Sequence, residues 1–89
     1  MPYIKSEDRK RIEKDLDIDH LSGLIRTEGD LNYTITRLCH LFLKINGEKY
    51  SVYNTLIGVL ECAKLELYRR KVSIYEDKKI IENGDVINE

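Results

Sequence analysis

Residues 51–72 read SVYNTLIGVLECAKLELYRRKV and make up the longest helical pattern in the chain. Apolar side chains recur there at the three- and four-residue spacing of an amphipathic α-helix. Further apolar residues widen the arc to more than half of the circumference, so this helix is expected to bury two faces. The narrow arc comprises Val52, Leu56, Val59, Leu60, Ala63 and Leu67, and the wider arc adds Tyr53, Ile57, Leu65, Tyr68 and Val72.

A second helix is predicted over residues 30–46. Asp30 is a candidate N-cap, and Asn46-Gly47 is typical of a helix C-terminus. Apolar residues follow one another at helical spacing, and polar side chains occupy the opposite side. The apolar set is Leu31, Ile35, Leu38, Phe42 and Ile45, and the polar set is Asn32, Tyr33, Thr36, Arg37, His40 and Lys44.

The two ends of the chain are also predicted to be helical. Residues 6–26 carry an apolar stripe after a candidate N-cap at Ser6, but Asp17 and Asp19 indicate a break in that helix. Near the C-terminus, Asn83-Gly84 fits either a hairpin turn or the end of a short helix that begins near Tyr75. The helix is favoured because a hairpin with three-residue strands is unstable alone.

These patterns together predict an all-α fold, a three-helix small domain over residues 1–89. The first helix is broken, and a short C-terminal element, helical or hairpin, follows residues 51–72. The apolar arcs of residues 30–46 and 51–72 are expected to face each other. The predicted core consists of Leu38, Phe42, Leu56, Leu60, Ala63 and Leu67.

Composition narrows the functional class. The 89 residues include 15 Lys and Arg against 16 Asp and Glu, a formal charge of −1. A free-standing electrostatic nucleic-acid binder is therefore disfavoured. No apolar run approaches the roughly 18 residues that cross a bilayer, and the N-terminus lacks the apolar segment of a secretory signal. We therefore expect a cytoplasmic protein with no membrane partner.

The sequence gives little support to a catalytic or metal site. Cys39 and Cys62 lie inside apolar helical patterns and are expected to be buried free thiols. No CxxC or HxxxH spacing suits zinc, and His20 and His40 are expected to be inert. No phosphate-binding loop and no ExxE pair is present. We predict a non-enzymatic protein without a cofactor or metal.

The second apolar face of residues 51–72 predicts an interface with another copy of the chain, because 89 residues offer too little protein to cover both faces. We expect a homo-oligomer, at least a dimer. A ligand at that interface would find tyrosine rings for a base, hydrogen-bonding groups for base or ribose edges, and cations for phosphate. The candidate ligand-binding residues are Tyr53, Asn54, Glu61, Lys64, Tyr68, Arg69 and Arg70.

Two alternatives stay open for these residues. The polar groups can satisfy one another across a ligand-free interface, since Glu61 and Lys64 are three residues apart and can pair. The cations of residues 68–71 can complement the dipole at the end of the helix instead of binding an anion.

Several short strings occur together in this chain. The combination resembles a family of short uncharacterised proteins of phages, bacteria and archaea that usually begin Met-Pro-Tyr-Ile, and it extends over nearly the whole chain apart from residues 11–24. The resemblance implies a phage or mobile-element setting, hence the host cytoplasm, but no activity and no functional residue. The strings are GDLNY at 29–33, IT at 35–36, GVLE at 58–61, KLE at 64–66, YRR at 68–70, YEDKK at 75–79 and ENGDV at 82–86.

Two functions follow as hypotheses. Small phage oligomers often sequester nucleotide immune signals, and by that analogy the chain is expected to bind an anionic nucleotide-type signal as a homo-oligomeric anti-defence sponge. The alternative is a structural or protein-interaction module of a phage or mobile element with no small-molecule ligand.

Overall fold

A computed structural model describes residues 2–87, and all the regular structure in that part of the chain is helical. The predicted all-α fold is confirmed. None of the described helices has the length and apolar character needed to cross a bilayer. In chain order the elements are helix α1 (Ser6–Asp15), a 3₁₀ helix (Ile18–Gly23), α2 (Glu28–Asn46), α3 (Tyr50–Leu67), a π-helical turn (Tyr68–Val72) and α4 (Ser73–Asn83).

The described residues divide into two units, and the boundary between them lies inside α3. The first unit ends at Leu56 and contains α1, the 3₁₀ helix, α2 and the beginning of α3. The second unit begins at Ile57 and contains the rest of α3, the π-helical turn and α4.

The predicted break in the first helix is confirmed. Helix α1 ends at Asp15, and the next residue, Leu16, is extended. The Asp17 carboxylate then accepts a hydrogen bond from the Asp19 N–H at 3.1 Å. An aspartate that bonds to the backbone two residues ahead favours a turn over continued helix. At the other end Ser6 is the first helical residue, so the N-cap position belongs to Lys5, whose side chain makes no cap hydrogen bond.

Helix α2 starts two residues earlier than predicted, because Thr27 and not Asp30 is its N-cap. The Asp30 N–H donates to the Thr27 hydroxyl oxygen at 3.1 Å, and the Thr27 N–H donates to the Asp30 carboxylate at 3.2 Å. This reciprocal capping box satisfies backbone donors that a helix start leaves without partners. The Arg26 N–H also donates to the Asp30 carboxylate, at 3.1 Å. The bonds from Arg26 and Thr27 lower the pKa of Asp30, since they favour the charged form.

The predicted end of the third helix at Val72 is wrong. Leu67 and Ser73, on either side of the π-helical turn, both have α-helical backbone angles. In the turn, the Ser73 N–H bonds to the Tyr68 carbonyl five residues back, so one extra residue enters the helix without ending it. Because the helix continues, the cations of residues 68–71 do not lie at a helix end, and the dipole interpretation of them is wrong as well.

The helix ends instead at Gly84. Its φ is 87°, a conformation that favours glycine, and its N–H donates to the Ile80 carbonyl at 2.8 Å. The helical alternative for these residues is therefore confirmed, although they continue the third helix and do not form a separate short one, and no hairpin forms within residues 2–87. Gly47, with φ 91°, ends α2 in the same way as the sequence predicted, with a hydrogen bond to the Leu43 carbonyl.

No side chain within residues 2–87 is fully buried. The predicted core is therefore wrong for an isolated chain. Leu38 is 58% exposed, Leu67 is 60% exposed, and Phe42 and Leu60 are each 39% exposed. Ala63 is exposed too, and only Leu56 of the six is half-buried. Helical periodicity shows which side chains form an apolar face, but not which surface covers that face.

Replacement of Thr27 by alanine tests the capping box. We expect Thr27→Ala to lower the free energy of unfolding by about 1 kcal/mol, because the Asp30 N–H loses its acceptor. Chemical denaturation followed by helical circular dichroism, at one protein concentration, measures the change. Thr36→Ala is the matched control, since the Thr36 hydroxyl bonds only within α2 and alanine is the better helix former. Equal losses in the two variants would contradict the cap.

Candidate functional site

Two of the seven candidate residues, Tyr53 and Asn54, lie in the first unit near the start of α3. Tyr53 is 43% exposed, and its hydroxyl donates to the Glu48 carboxylate at 3.2 Å. Loss of hydration raises the pKa of Tyr53, and the hydrogen bond and negative charge of Glu48 raise it further. The phenol is thus a neutral donor tied to the loop before its own helix. The Asn54 side chain is exposed.

Glu61 and Lys64 lie in the second unit and pair with each other. Their charged groups are 3.0 Å apart across three residues of α3, with side chains 54% and 68% exposed, respectively. An exposed pair at this spacing contributes only about 0.2–0.5 kcal/mol to a helix. The sequence interpretation that these two residues can satisfy each other agrees with this geometry. The ammonium group of Lys64 can still reorient toward an anion, since a surface ion pair is weak.

Arg69 and Arg70 share one carboxylate, that of Glu66. An Arg69 guanidinium nitrogen lies 3.1 Å from each Glu66 oxygen, and Arg70 Nε lies 3.1 Å from Oε1. The Glu66 side chain is only 22% exposed, whereas both arginines are more than 60% exposed. A partly buried carboxylate held by two guanidinium groups makes charge-assisted hydrogen bonds stronger than those of a solvated pair.

This arginine pair coincides with the π-helical turn. Tyr68 is the first residue of the turn and its ring is 50% exposed. The Ser73 hydroxyl donates to the Arg69 carbonyl at 2.9 Å, which gives that carbonyl a partner in the distorted turn. Single π-helical turns are frequent at functional sites. Here the turn contains an exposed tyrosine and two exposed arginines whose guanidinium groups Glu66 binds.

Sequence reasoning missed the role of Glu66. Glu66 lies three and four residues before the two arginines, the spacing at which side chains of a helix meet, and that spacing was the available signal.

The described part of the chain contains no cluster of three or more His, Cys, Asp or Glu side chains suited to a metal ion. Both cysteines are free thiols, Cys39 half-buried and Cys62 exposed, so the expectation of buried thiols is wrong.

Comparison with protein families gives one match. The family model described as Domain of unknown function (DUF6899) matches residues 1–86. The chain belongs to this family. Searches of curated proteins and of solved structures returned no match. The family assignment agrees with the expected uncharacterised family and assigns no activity to any of the residues described above.

Removal of the charge at Glu66, with Glu61 as the comparison, tests the pairing of Arg69 and Arg70 with Glu66. We expect Glu66→Gln to lower the free energy of unfolding by about 1 kcal/mol, because the variant takes a shared charge from two guanidinium groups. Glu61→Gln is the matched control and should change it by less than about 0.5 kcal/mol. Denaturation curves in low and high salt measure both variants. A larger effect at Glu61 than at Glu66 would contradict the ranking.

Proposed function

We propose that this chain is a non-enzymatic assembly module that completes its hydrophobic core with further copies of itself. The observation that carries the proposal is the exposure of apolar side chains. Large apolar side chains are exposed in each of the two units, among them Leu38 at 58% in the first and Ile57 at 67% in the second. Contiguous exposed apolar patches mark interaction sites in soluble proteins.

The apolar face of α2 is the clearest surface for such an interface. Its five apolar residues follow one another four, three, four and three residues apart, the spacing of helices that pack side by side. They extend over about 21 Å of helix. All five are exposed: Leu31 49%, Ile35 40%, Leu38 58%, Phe42 39% and Ile45 72%.

A second copy of the chain is the occupant that this face fits best. The stripe carries no charge, so a two-fold-related copy can meet it without placing like charges opposite each other. The second unit presents a comparable apolar surface, with Ile57 67%, Leu65 55% and Leu67 60% exposed. Both units therefore have apolar faces to bury, which supports a homo-oligomer over a single small contact.

The expected anionic nucleotide-type ligand and the anti-defence role stay predictions, as do the cytoplasmic location and the phage origin. The pairing of Lys64 with Glu61, and of both arginines with Glu66, supports the ligand-free alternative for the residues around the π-helical turn. These charges already have partners of opposite sign within one helix. A ligand at that site would have to compete with those partners.

Light scattering at micromolar concentration tests the assembly. We expect the protein to form an oligomer of at least two chains, and its thermal midpoint to rise with protein concentration. Leu38→Lys should shift the equilibrium to a particle of one chain with reduced helical signal, because it places a charge in the centre of the stripe. Thr36→Lys, a lysine on the other side of the same helix, should leave the oligomer intact.

A wild-type protein that is a folded monomer with a concentration-independent midpoint would overturn the proposal. So would a Leu38→Lys variant that keeps the mass of the wild type. If the isolated protein is monomeric and a different protein restores its helicity, the covering partner is not a second copy and the proposal is likewise wrong.

A further inference from the structure

The polar face of α2 carries a row of four side chains that includes two cations, Arg37 and Lys44. Tyr33, Arg37, His40 and Lys44 follow one another four, three and four residues apart, so they lie along one side of the helix. Residues 31–47 contain no Asp or Glu. The positive charges of this row therefore have no acidic neighbour on their own stretch of helix, unlike those near the π-helical turn.

Tyr33 and Arg37 are organised relative to each other. An Arg37 guanidinium nitrogen donates to the Tyr33 hydroxyl at 3.3 Å, and the guanidinium carbon lies 6.0 Å from the ring centroid. The guanidinium group contacts the Tyr33 ring, yet Tyr33 as a whole is 62% exposed. The remaining guanidinium donors are free to bind an anion bidentately, which is the usual way in which arginine recognises phosphate.

The same row borders an open groove. Arg37, His40, Leu41 and Lys44 line a depression of about 300 Å³. The Arg and Lys charges stand along its length, His40 can donate a ring N–H between them, and Leu41 supplies an apolar wall. From Arg37 to Lys44 the helix rises about 10 Å, and from Tyr33 to Lys44 about 16 Å. This length suits a ligand with a base at one end and several phosphates beyond it.

We propose that the Tyr33–Arg37–His40–Lys44 row is a binding site for nucleotide phosphates. The phosphates lie along Arg37, His40 and Lys44, and a base stacks on the exposed Tyr33 ring. Proteins that bind single-stranded nucleic acid without sequence preference combine aromatic rings, on which bases stack, with a positively charged groove for the phosphates. The same combination can bind a free nucleoside triphosphate. The shared chemistry is a base joined to successive phosphate charges.

This site does not rest on the assembly proposed above. The row and the apolar stripe occupy opposite sides of α2, so pairing through the stripe leaves the row accessible. The formal charge of −1 for the whole chain disfavours long-range attraction to nucleic acid, but a local row with no acidic residue is sufficient for a short contact. The site also differs from the seven candidate residues on α3 and the π-helical turn.

Binding of two probes to the full-length protein tests the inference. The probes are a fluorescent ATP analogue and a labelled oligothymidine of about ten nucleotides, each titrated at low salt and followed by anisotropy. We expect the double variant Arg37→Glu/Lys44→Glu to lose about tenfold or more in affinity, the effect of removing charge-assisted hydrogen bonds. Lys49→Glu, a charge reversal outside the row, should change the affinity by less than about threefold.

Tyrosine variants separate stacking from charge. Tyr33→Phe keeps the ring and should keep the affinity within about twofold, whereas Tyr33→Leu removes the ring and should lose about fivefold or more. Circular dichroism and light scattering on every variant check that its fold and its assembly match those of the wild-type protein. Binding of the ATP analogue alone identifies a free nucleotide as the source of the phosphates, and tighter binding of the oligothymidine identifies a nucleic-acid strand.

Three results would overturn the inference. The first is that neither probe binds the wild-type protein at millimolar concentration. The second is that Lys49→Glu weakens binding as much as the double variant does. The third is that Lys64→Ala and Tyr68→Ala abolish binding while the row variants do not, which would place the ligand at the α3 residues. Failure of this inference stays distinct from failure of the assembly, because binding of the probes is measured by anisotropy and assembly by light scattering, and the row variants are expected to change only the first.

Discussion

Burial of apolar surface is what stabilises a small helical domain, and within residues 2–87 no side chain is fully buried. The helices are well formed locally, yet short-range hydrogen bonds alone leave isolated helices marginal in water. The stripe of α2 and the apolar face of the second unit are both exposed. In the proposed assembly, copies of the chain cover these faces, so folding and association would be one process and stability would depend on protein concentration.

Local interactions nevertheless define several of the helix boundaries that the structure describes. The Thr27–Asp30 capping box starts α2, and Gly47 and Gly84 end their helices with positive φ values. Asp17 redirects the chain after α1 by binding the Asp19 N–H. Each device lies within four residues along the sequence, so it acts without any tertiary contact. This explains how residues 2–87 have a defined secondary structure although none of their side chains is fully buried.

The charged side chains form two different arrangements. On α3 and the π-helical turn, cations pair with carboxylates three or four residues away, which neutralises them within one helix. On α2, Arg37 and Lys44 belong to residues 31–47, which contain no Asp or Glu, and Arg37 donates a hydrogen bond to the Tyr33 hydroxyl. Charges that lack an internal partner are the ones available to a ligand, and this difference separates the two candidate surfaces.

The sequence by itself determined the helical class, the break near Asp17, the helix ends at Gly47 and Gly84, and the apolar and polar faces of α2. These features depend on residues at most one or two helical turns apart.

The sequence analysis misplaced the N-cap of α2 at Asp30, since Thr27 and Asp30 both suit that position and only the backbone geometry distinguishes them. It ended the third helix at Val72, because cations and a β-branched residue resemble a helix end and no sequence signal marks a π-helical turn. Among the candidate site residues, spacing predicted the Glu61–Lys64 pair and allowed Glu66 to reach both Arg69 and Arg70, but only the rotamers showed that both arginines bind Glu66 at once. Only the tertiary structure decided that Leu38, Phe42 and Leu60 stay exposed, because periodicity identifies an apolar face and the three-dimensional arrangement alone decides what covers it.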